Sequence, residues 1–184
     1  MKRIIILTLL FAGITYAVTA QYSGQTAHQV QIANNFENFY IYKDFFVSGQ
    51  PDVNMLTWLK DHGTKMIINL RTEEENQEFA TEEFDEKFVA EKLGFTYISI
   101  PLDGSDGYTP EILETFDTAI QPGIPVLIHC RSGGRATNML MAYLIREQGF
   151  SVNEAVLVGK QMRFVFPLEQ LLGVDISYSI EQEE

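Results

Sequence analysis

The sequence predicts an α/β fold in which a mostly parallel sheet of four to five strands is flanked by helices in a single domain. Three observations lead to this prediction. Short apolar runs alternate along the chain with helical patterns, which favours parallel strands joined by helices. Glycine, proline and helix-capping residues separate these runs. The only cysteine, Cys130, lies on a glycine-rich loop between an apolar strand and a helix.

The first twenty residues resemble a secretory signal peptide. Lys2 and Arg3 give a basic start, residues 4–17 are apolar, and Val18 and Ala20 are small residues at the cleavage spacing. The apolar run is short for a membrane span of ~20 residues, and no cysteine follows it that could carry a lipid. We therefore expect a periplasmic or secreted protein with no stable membrane anchor after cleavage, and an uncleaved anchor is the alternative.

The chain is strongly acidic, with a formal net charge of −12. Residues 1–20 contain Lys2 and Arg3 and no acid, so their removal takes the charge from −12 to −14. Such a charge repels phosphodiester backbones, which argues against nucleic acid as a partner. Three histidines, without a second cysteine or clustered carboxylates, indicate no metal site. No cofactor is expected.

Composition divides the chain into four segments. Residues 1–20 are the predicted signal peptide, and residues 21–43 are an N-terminal extension, aromatic-rich over 32–42, that packs on the core. Residues 44–173 form the main domain, and residues 174–184 form an acidic tail.

The first half of the main domain alternates strand and helix. Residues 45–47 predict a short strand, and the turn at 48–51 leads into a helix that ends near Gly63. A second strand is expected at residues 65–70. The stretch at residues 73–91 is acidic, and its apolar positions predict one amphipathic helix, closed by Gly94, whose charges face water. The apolar positions, which extend to residue 93 at spacings of four and five, are Ala80, Phe84, Phe88 and Leu93.

The second half continues the same alternation. Residues 95–100 predict a third strand, followed by a loop at 101–108 that contains two aspartates. Thr109 and Pro110 cap and begin the next helix. Residues 125–129 form the fourth predicted strand, and the apolar helix at 136–148 stops at Gly149. Ser151 and Glu154 form a capping box for a further helix, and a helical turn is expected near residues 167–172.

Cys130 is placed to act as a nucleophile. Exported proteins use cysteines mostly in disulfide pairs, so an unpaired cysteine needs another reason. Helix N-termini and guanidinium groups favour the thiolate form, and the planar fork of Arg135 suits two oxygens of an oxyanion. We therefore expect a reactive thiolate with phosphate or sulfate bound in the loop, and a buried inert thiol is the alternative.

The loop at residues 129–135 reads His-Cys-Arg-Ser-Gly-Gly-Arg. It resembles the signature of the cysteine-dependent tyrosine and dual-specificity protein phosphatase superfamily, which is His-Cys, five residues, Arg and then Ser or Thr. Here four residues separate Cys130 from Arg135. This shorter loop, together with the Ser-Gly-Gln-Pro turn at 48–51 and the Ile-Asn-Leu-Arg run at 68–71, is similar to the beta-lactamase hydrolase-like, phosphatase-like family. The likeness spans about residues 45–159 and implies a cysteine-phosphatase-like fold.

The resemblance implies a role for each position of the loop. Cys130 would be the nucleophile, Arg135 the phosphate ligand, and His129 would orient the loop and favour the thiolate. The superfamily places a hydroxyl directly after the arginine, whereas this chain has Ala136 there and Thr137 one residue later. The other positions of the implied phosphate-binding loop are Arg131, Ser132, Gly133 and Gly134.

The resemblance also implies a general acid on the loop after the third strand. Asp103 is the first candidate and Asp106 is the second. Either aspartate could instead form a turn, because Asp-Gly occurs twice in this loop. Arg71 is expected to be a structural tie rather than a ligand.

The function that follows is a metal-independent phosphatase that hydrolyses phosphomonoesters through phosphocysteine. Its partner would be a phosphorylated small molecule or a protein that carries phosphotyrosine or phosphoserine. Two alternatives stay open. A rhodanese-like sulfurtransferase carries a Cys-Arg-Ser-Gly loop of this length, although this chain lacks that family's Asp-Val-Arg strand and Gly-His-Ile segment. A noncatalytic oxyanion-binding domain would fit the missing hydroxyl at Ala136.

Overall fold

The computed structural model describes residues 28–33, 35–80, 84–104, 106–164 and 168–176. Within these ranges the chain forms one domain, a six-stranded sheet with helices packed on both faces. This confirms the predicted α/β class. The predicted signal peptide of residues 1–20 lies outside the described residues, as do residues 177–184 of the predicted acidic tail.

Four parallel strands form the main part of the sheet, and two antiparallel strands extend one edge. The strands are β1 (Gln31–Ile32), β2 (Phe39–Tyr42), β3 (Phe45–Ser48), β4 (Met66–Asn69), β5 (Thr96–Ser99) and β6 (Val126–His129). Their spatial order is β1-β2-β3-β6-β4-β5. The parallel strands β3, β6, β4 and β5 coincide with the four predicted strands. The aromatic-rich segment before them turns back at Lys43, where φ is +53°, and therefore pairs antiparallel with β3.

Seven helices occur in the described part of the chain. They are α1 (Val53–Asp61), α2 (Glu73–Phe79), α3 (Glu86–Leu93), α4 (Pro110–Ala119), α5 (Gly134–Gln148), α6 (Val152–Lys160) and α7 (Glu169–Leu172). Two predicted helix starts are confirmed. Thr109 caps α4 by accepting from the Ile112 N–H, and Ser151 with Glu154 forms the capping box of α6.

The acidic stretch forms two short helices, so the prediction of one helix through it is wrong. α2 ends at Phe79, and Ala80 is extended with φ −65° and ψ 130°. Asp85 then starts α3 by accepting a hydrogen bond from the Phe88 N–H at 3.0 Å. A new cap begins a second helix, which periodicity alone does not reveal. Each helix turns one acidic side chain of its first turn towards the protein interior, where Glu75 of α2 pairs with Arg135 and Glu86 of α3 pairs with His129.

The sheet separates two hydrophobic clusters, and the residues of β6 alternate between them. Ile128 packs in the cluster formed with α4 and α5, whereas Leu127 packs in the cluster formed with α1 and α3. Cys130 belongs to the first cluster, and the strand alternation places His129 on the second face. The end of β6 therefore presents adjacent residues to opposite sides of the sheet.

Candidate active site

Cys130 lies at the carboxyl end of a central strand. β6 pairs with β3 on one side and with β4 on the other, and Cys130 directly follows its last residue. Open α/β sheets bind ligands at the carboxyl ends of their parallel strands. Cys130 is 1% exposed, so its thiol is shielded from bulk solvent at the position where a ligand is expected.

Gly133 turns the loop towards the sulfur. Its φ of +94° lies in the left-handed region, which glycine reaches without a steric penalty. In this conformation its N–H donates a hydrogen bond to Cys130 Sγ at 3.1 Å. Gly133 is also the N-cap of α5, so the positive end of the helix dipole faces the sulfur. The arrangement stabilises a negative charge on the sulfur and on an oxyanion bound beside it.

Arg135, in the first turn of α5, ties the loop to two neighbouring strand ends. Its Nη1 donates to the carbonyl oxygens of Leu70 at 3.3 Å and Leu102 at 2.7 Å, and its Nη2 donates to Glu75 Oε1 at 2.7 Å. A guanidinium has five N–H groups, and these bonds use three of them. The side chain also hydrogen bonds with Cys130. Donors remain next to the sulfur, where they could hold two oxygens of an oxyanion.

Glu75, which the sequence pattern assigned to a solvated face, is the carboxylate partner of Arg135. It also closes the capping box of α2 by accepting from the Thr72 N–H at 3.0 Å. Burial raises the pKa of Glu75, but the hydrogen bonds from Arg135 and Thr72 outweigh burial and lower the pKa. Burial lowers the pKa of Arg135, but Glu75 and the charge on Cys130 raise it. The Thr72–Glu75 capping box was the sequence signal that could have placed this carboxylate beside the site.

The backbone of the nucleophile loop, residues 130–135, is tied to the turn after β3. The Gln50 N–H donates to the Arg131 carbonyl at 3.2 Å, and an antiparallel bridge pairs Gly49 with Ser132. The loop is therefore held by backbone contacts that do not depend on a bound ligand. Among the predicted loop positions, Arg131 and Ser132 are exposed, whereas Gly133, Gly134 and Ala136 are buried.

The hydroxyl of Thr137 is engaged within the protein. Ala136, at the position where the superfamily carries a hydroxyl, is fully buried. The Thr137 hydroxyl donates to the Gly133 carbonyl at 2.9 Å and accepts from the Arg163 N–H at 3.4 Å. It therefore braces the first turn of α5 against the backbone at Arg163.

Tyr108, from the loop before α4, is a buried residue that the sequence did not single out. It is 3% exposed and packs in the same cluster as Cys130. Burial is the main cause that raises the pKa of Tyr108, and the negative charge of Cys130 raises it further. A hydrogen bond with Asn138 of α5 opposes the shift. The phenol therefore stays neutral beside the sulfur at physiological pH.

Asp103 and Asp106 are exposed residues on the loop after β5. The Asp103 carbonyl accepts from the Gly107 N–H at 3.0 Å, and a Cβ on Gly107 would lie 2.8 Å from the Asp103 backbone nitrogen. This tight turn requires glycine. The preceding residue, Leu102, offers its carbonyl to Arg135, so Asp103 follows directly on a contact with the nucleophile loop.

His129 joins a group of polar side chains beneath the sheet. It is fully buried, and its Nε2 lies 2.8 Å from Glu86 Oε1. The Tyr97 hydroxyl donates to the same oxygen at 3.0 Å, and Gln50 Nε2 donates to Glu86 Oε2 at 2.5 Å. Asn69 Nδ2 donates to the Tyr97 hydroxyl at 2.7 Å. We refer to Gln50, Asn69, Glu86, Tyr97 and His129 as the buried polar cluster.

Arg71 borders a cavity of about 290 Å³ next to this cluster. The side chain is buried, at 3% exposure, and donates to Gln50 Oε1 and to the Glu75 carbonyl. Burial lowers the pKa of Arg71, while Glu75 and Glu86 oppose that shift. These contacts are those of the structural tie expected from the sequence, because they join the turn after β3 to α2.

The described residues contain neither a metal-binding cluster nor a membrane-spanning helix. Among them, no group of three His, Cys, Asp or Glu side chains is placed to hold a metal ion. In the same described ranges, no helix is both long and apolar enough to cross a membrane.

The chain is similar to proteins of the dual-specificity phosphatase class. A family model described as DSP-PTPase phosphatase fused to NAD+ kinase matches residues 24–166. The structure of P. aeruginosa TpbA in complex with pTyr is 17% identical, with 74% of this chain and 80% of that chain covered and a TM-score of 0.56. PTPMT1 is 21% identical, with coverages of 69% and 84% and a TM-score of 0.56.

A DUF442 protein from Shewanella putrefaciens CN-32 is 24% identical, with 65% of this chain and 75% of that chain covered and a TM-score of 0.52. At these identities the structural likeness shows the fold. No curated protein matches the sequence.

Proposed function

We propose a function from one premise: this chain belongs to the family described as DSP-PTPase phosphatase fused to NAD+ kinase, within the cysteine-dependent phosphatase superfamily. The proposed function is the hydrolysis of phosphomonoesters through a phosphocysteine intermediate, without a metal ion or cofactor. One observation carries it. The Gly133 N–H and the Arg135 guanidinium both reach the Cys130 sulfur at the N-terminus of α5, which is an arrangement that binds an oxyanion over a nucleophile.

The reaction proceeds in two steps. Cys130 Sγ attacks phosphorus, and the sulfur–phosphorus bond forms as the bond to the leaving oxygen breaks. Asp103 gives its proton to that oxygen. Water then attacks phosphorus, Asp103 takes a proton from the water, and the sulfur–phosphorus bond breaks to return the thiolate and release inorganic phosphate. Arg135 and the loop amides hold the equatorial oxygens in both steps.

Three further assignments belong to the same proposal. The four-residue spacing between Cys130 and Arg135 supports membership of the beta-lactamase hydrolase-like, phosphatase-like branch. Phosphotyrosine is the first substrate to test, because TpbA, which shares the fold, was solved in complex with pTyr. The signal-like residues 1–20 support a periplasmic or secreted location.

The experiment is an assay of the purified protein with an aryl phosphate in the presence of a chelator. We expect phosphate release, and we expect acid quenching to trap a phosphate adduct on the peptide that contains Cys130. A second arm supplies thiosulfate and cyanide. Thiocyanate formation without phosphate release would assign a rhodanese-like sulfurtransferase instead. Phosphate binding with neither reaction would assign a noncatalytic oxyanion-binding domain.

A further inference from the structure

Glu86 is a buried carboxylate that contacts His129 and Gln50 on the face of the sheet opposite Cys130. It is the first residue of α3, and its side chain is 10% exposed. Burial raises the pKa of Glu86, but the charge of His129, together with the hydrogen bonds from Gln50 and Tyr97, lowers it below the usual value. The side chain is therefore an ionised carboxylate held by three partners.

Two of these partners lead directly to the loop. His129 is the last residue of β6, and Cys130 follows it directly. The Gln50 side chain donates to Glu86 Oε2, while the Gln50 backbone N–H donates to the Arg131 carbonyl at 3.2 Å. A movement of the Glu86 carboxylate would thus reach the residues on both sides of Cys130.

The His129 ring depends on this carboxylate for its orientation. Nε2 faces Glu86 Oε1 at 2.8 Å, and an ionised carboxylate can only accept, so Nε2 carries a hydrogen. Both ring nitrogens are buried, and neither has a partner in a well-aligned hydrogen bond within the part of the chain that the structure describes, so Nε2 meets Glu86 as a close ion pair. Within those residues, Glu86 is therefore the one polar contact that fixes the ring.

We propose that Glu86 is a positioning residue for the nucleophile: by holding the His129 ring and the Gln50 side chain, its carboxylate sets the position of the Cys130 sulfur under the phosphate. This role rests on the proposed phosphatase function. A carboxylate on a helix beneath the sheet can act in this way because displacing a reacting atom by about 1 Å costs up to ~100-fold in rate.

The test compares Glu86→Gln with Glu91→Gln. Both residues lie on α3, but Glu91 is exposed and its ion pair is with Lys87 at 4.0 Å. Cys130 is the only cysteine, so its alkylation by iodoacetamide reports the nucleophile without requiring turnover. For Glu86→Gln we expect alkylation about tenfold slower and kcat reduced by about tenfold or more, with a smaller change in KM. Glu91→Gln should match the wild type in each measurement.

A double variant tests whether Glu86 acts through His129. If it does, Glu86→Gln combined with His129→Gln should lose no more alkylation rate than His129→Gln alone. Additive losses, or a Glu86→Gln variant that alkylates as fast as Glu91→Gln, would overturn the proposal. If circular dichroism shows that Glu86→Gln is unfolded, Tyr97→Phe decides, because it removes one donor and keeps the carboxylate. We expect Tyr97→Phe to slow alkylation about two- to threefold, and an unchanged rate would contradict the proposal.

The alkylation series separates this proposal from the phosphatase proposal. A wild-type protein that does not hydrolyse phosphomonoesters would remove the phosphatase function, yet the order of alkylation rates would still show whether Glu86 positions Cys130.

Discussion

The loop after β6 and the loop after β5 meet at one edge of the sheet, but they are held in different ways. The nucleophile loop is fixed from both sides, by Gln50 on its backbone and by the bonds of Arg135 to strand ends and to Glu75. The loop at residues 101–108 is joined to it through Leu102, whereas Asp103 itself is exposed.

The difference matches the two tasks that the proposed reaction assigns. Groups that stabilise charge on phosphate act best when their dipoles are already oriented before the reaction. A proton donor must meet both the leaving oxygen and the incoming water, so a solvated turn suits it. Substitutions in the nucleophile loop should therefore lower activity severely for every substrate. Substitutions in the loop at residues 101–108 should lower activity by an amount that depends on the leaving group.

The largest effect should come from Cys130→Ser. A serine hydroxyl at this position lacks the thiolate character that the Gly133 N–H and helix N-terminus support, so we expect phosphate release to fall by about 10⁴-fold or more. The measurement is aryl phosphate hydrolysis, with circular dichroism as the control for folding. Activity that survives in a folded Cys130→Ser protein would show that the nucleophile loop does not carry out the reaction.

Arg135→Lys should follow, with a loss of about 10²–10³-fold in kcat/KM. A lysine supplies one point charge and cannot contact Leu70, Leu102, Glu75 and an oxyanion at once. The loss should be similar for activated and unactivated substrates, since oxyanion binding does not depend on the leaving group. A loss below about threefold would show that the nucleophile loop does not need the guanidinium fork to bind the oxyanion.

Asp103→Asn tests whether the loop at residues 101–108 supplies the general acid. If Asp103 protonates the leaving oxygen, we expect a loss of about 10–100-fold with poor leaving groups, a much smaller loss with activated aryl phosphates, and a flatter basic limb of the pH profile. Asp106→Asn is the matched control, because it makes the same change at an exposed residue of the same loop. Equal losses for both substrate classes would mean that Asp103 only forms the turn. If Asp106→Asn instead shows the larger loss with poor leaving groups, Asp106 is the general acid.

Glu75→Gln should give the smallest effect, and it should depend on pH. The pKa of Glu75 is lowered in the folded protein, so its stabilisation is complete above the ordinary glutamate pKa of about 4.3 and is lost as pH falls through the lowered folded value. Near neutral pH the variant should lose about 1 kcal/mol for one charge-assisted hydrogen bond, or roughly 2–4 °C in Tm.

Thermal melts of wild type, Glu75→Gln and the exposed control Glu74→Gln across pH 3–8 measure this dependence. The difference between wild type and Glu75→Gln should narrow below about pH 4, while Glu74→Gln stays close to wild type throughout. A Tm difference between wild type and Glu75→Gln that stays constant at all pH values would show that the Arg135–Glu75 ion pair does not stabilise the nucleophile loop.

The two loops also differ in how far the sequence could predict them. The position of the nucleophile loop follows from Cys130 and its flanking strand and helix, because an apolar run bounded by glycines leaves few other arrangements. The inward turns of Glu75 and Glu86 could not be predicted by periodicity. The helix that starts at Asp85 decides which acidic side chain faces the sheet. The spacing of the acidic residues would be the same if all of them faced solvent, so the spacing cannot tell the two cases apart. The catalytic role of Asp103 stays a prediction.

The contacts between the nucleophile loop and β3 have a consequence for how the protein unfolds. The Cys130 N–H donates to the Ser48 carbonyl at 3.4 Å, and the antiparallel Gly49–Ser132 bridge adds a further backbone contact beyond the last residues of the parallel strands β3 and β6. Amides in this region should exchange their hydrogens with solvent only when the central sheet opens, together with the most protected part of the protein. Heating should then abolish activity and folded structure at the same temperature, and every molecule that is still folded in a partly melted sample should remain a competent enzyme.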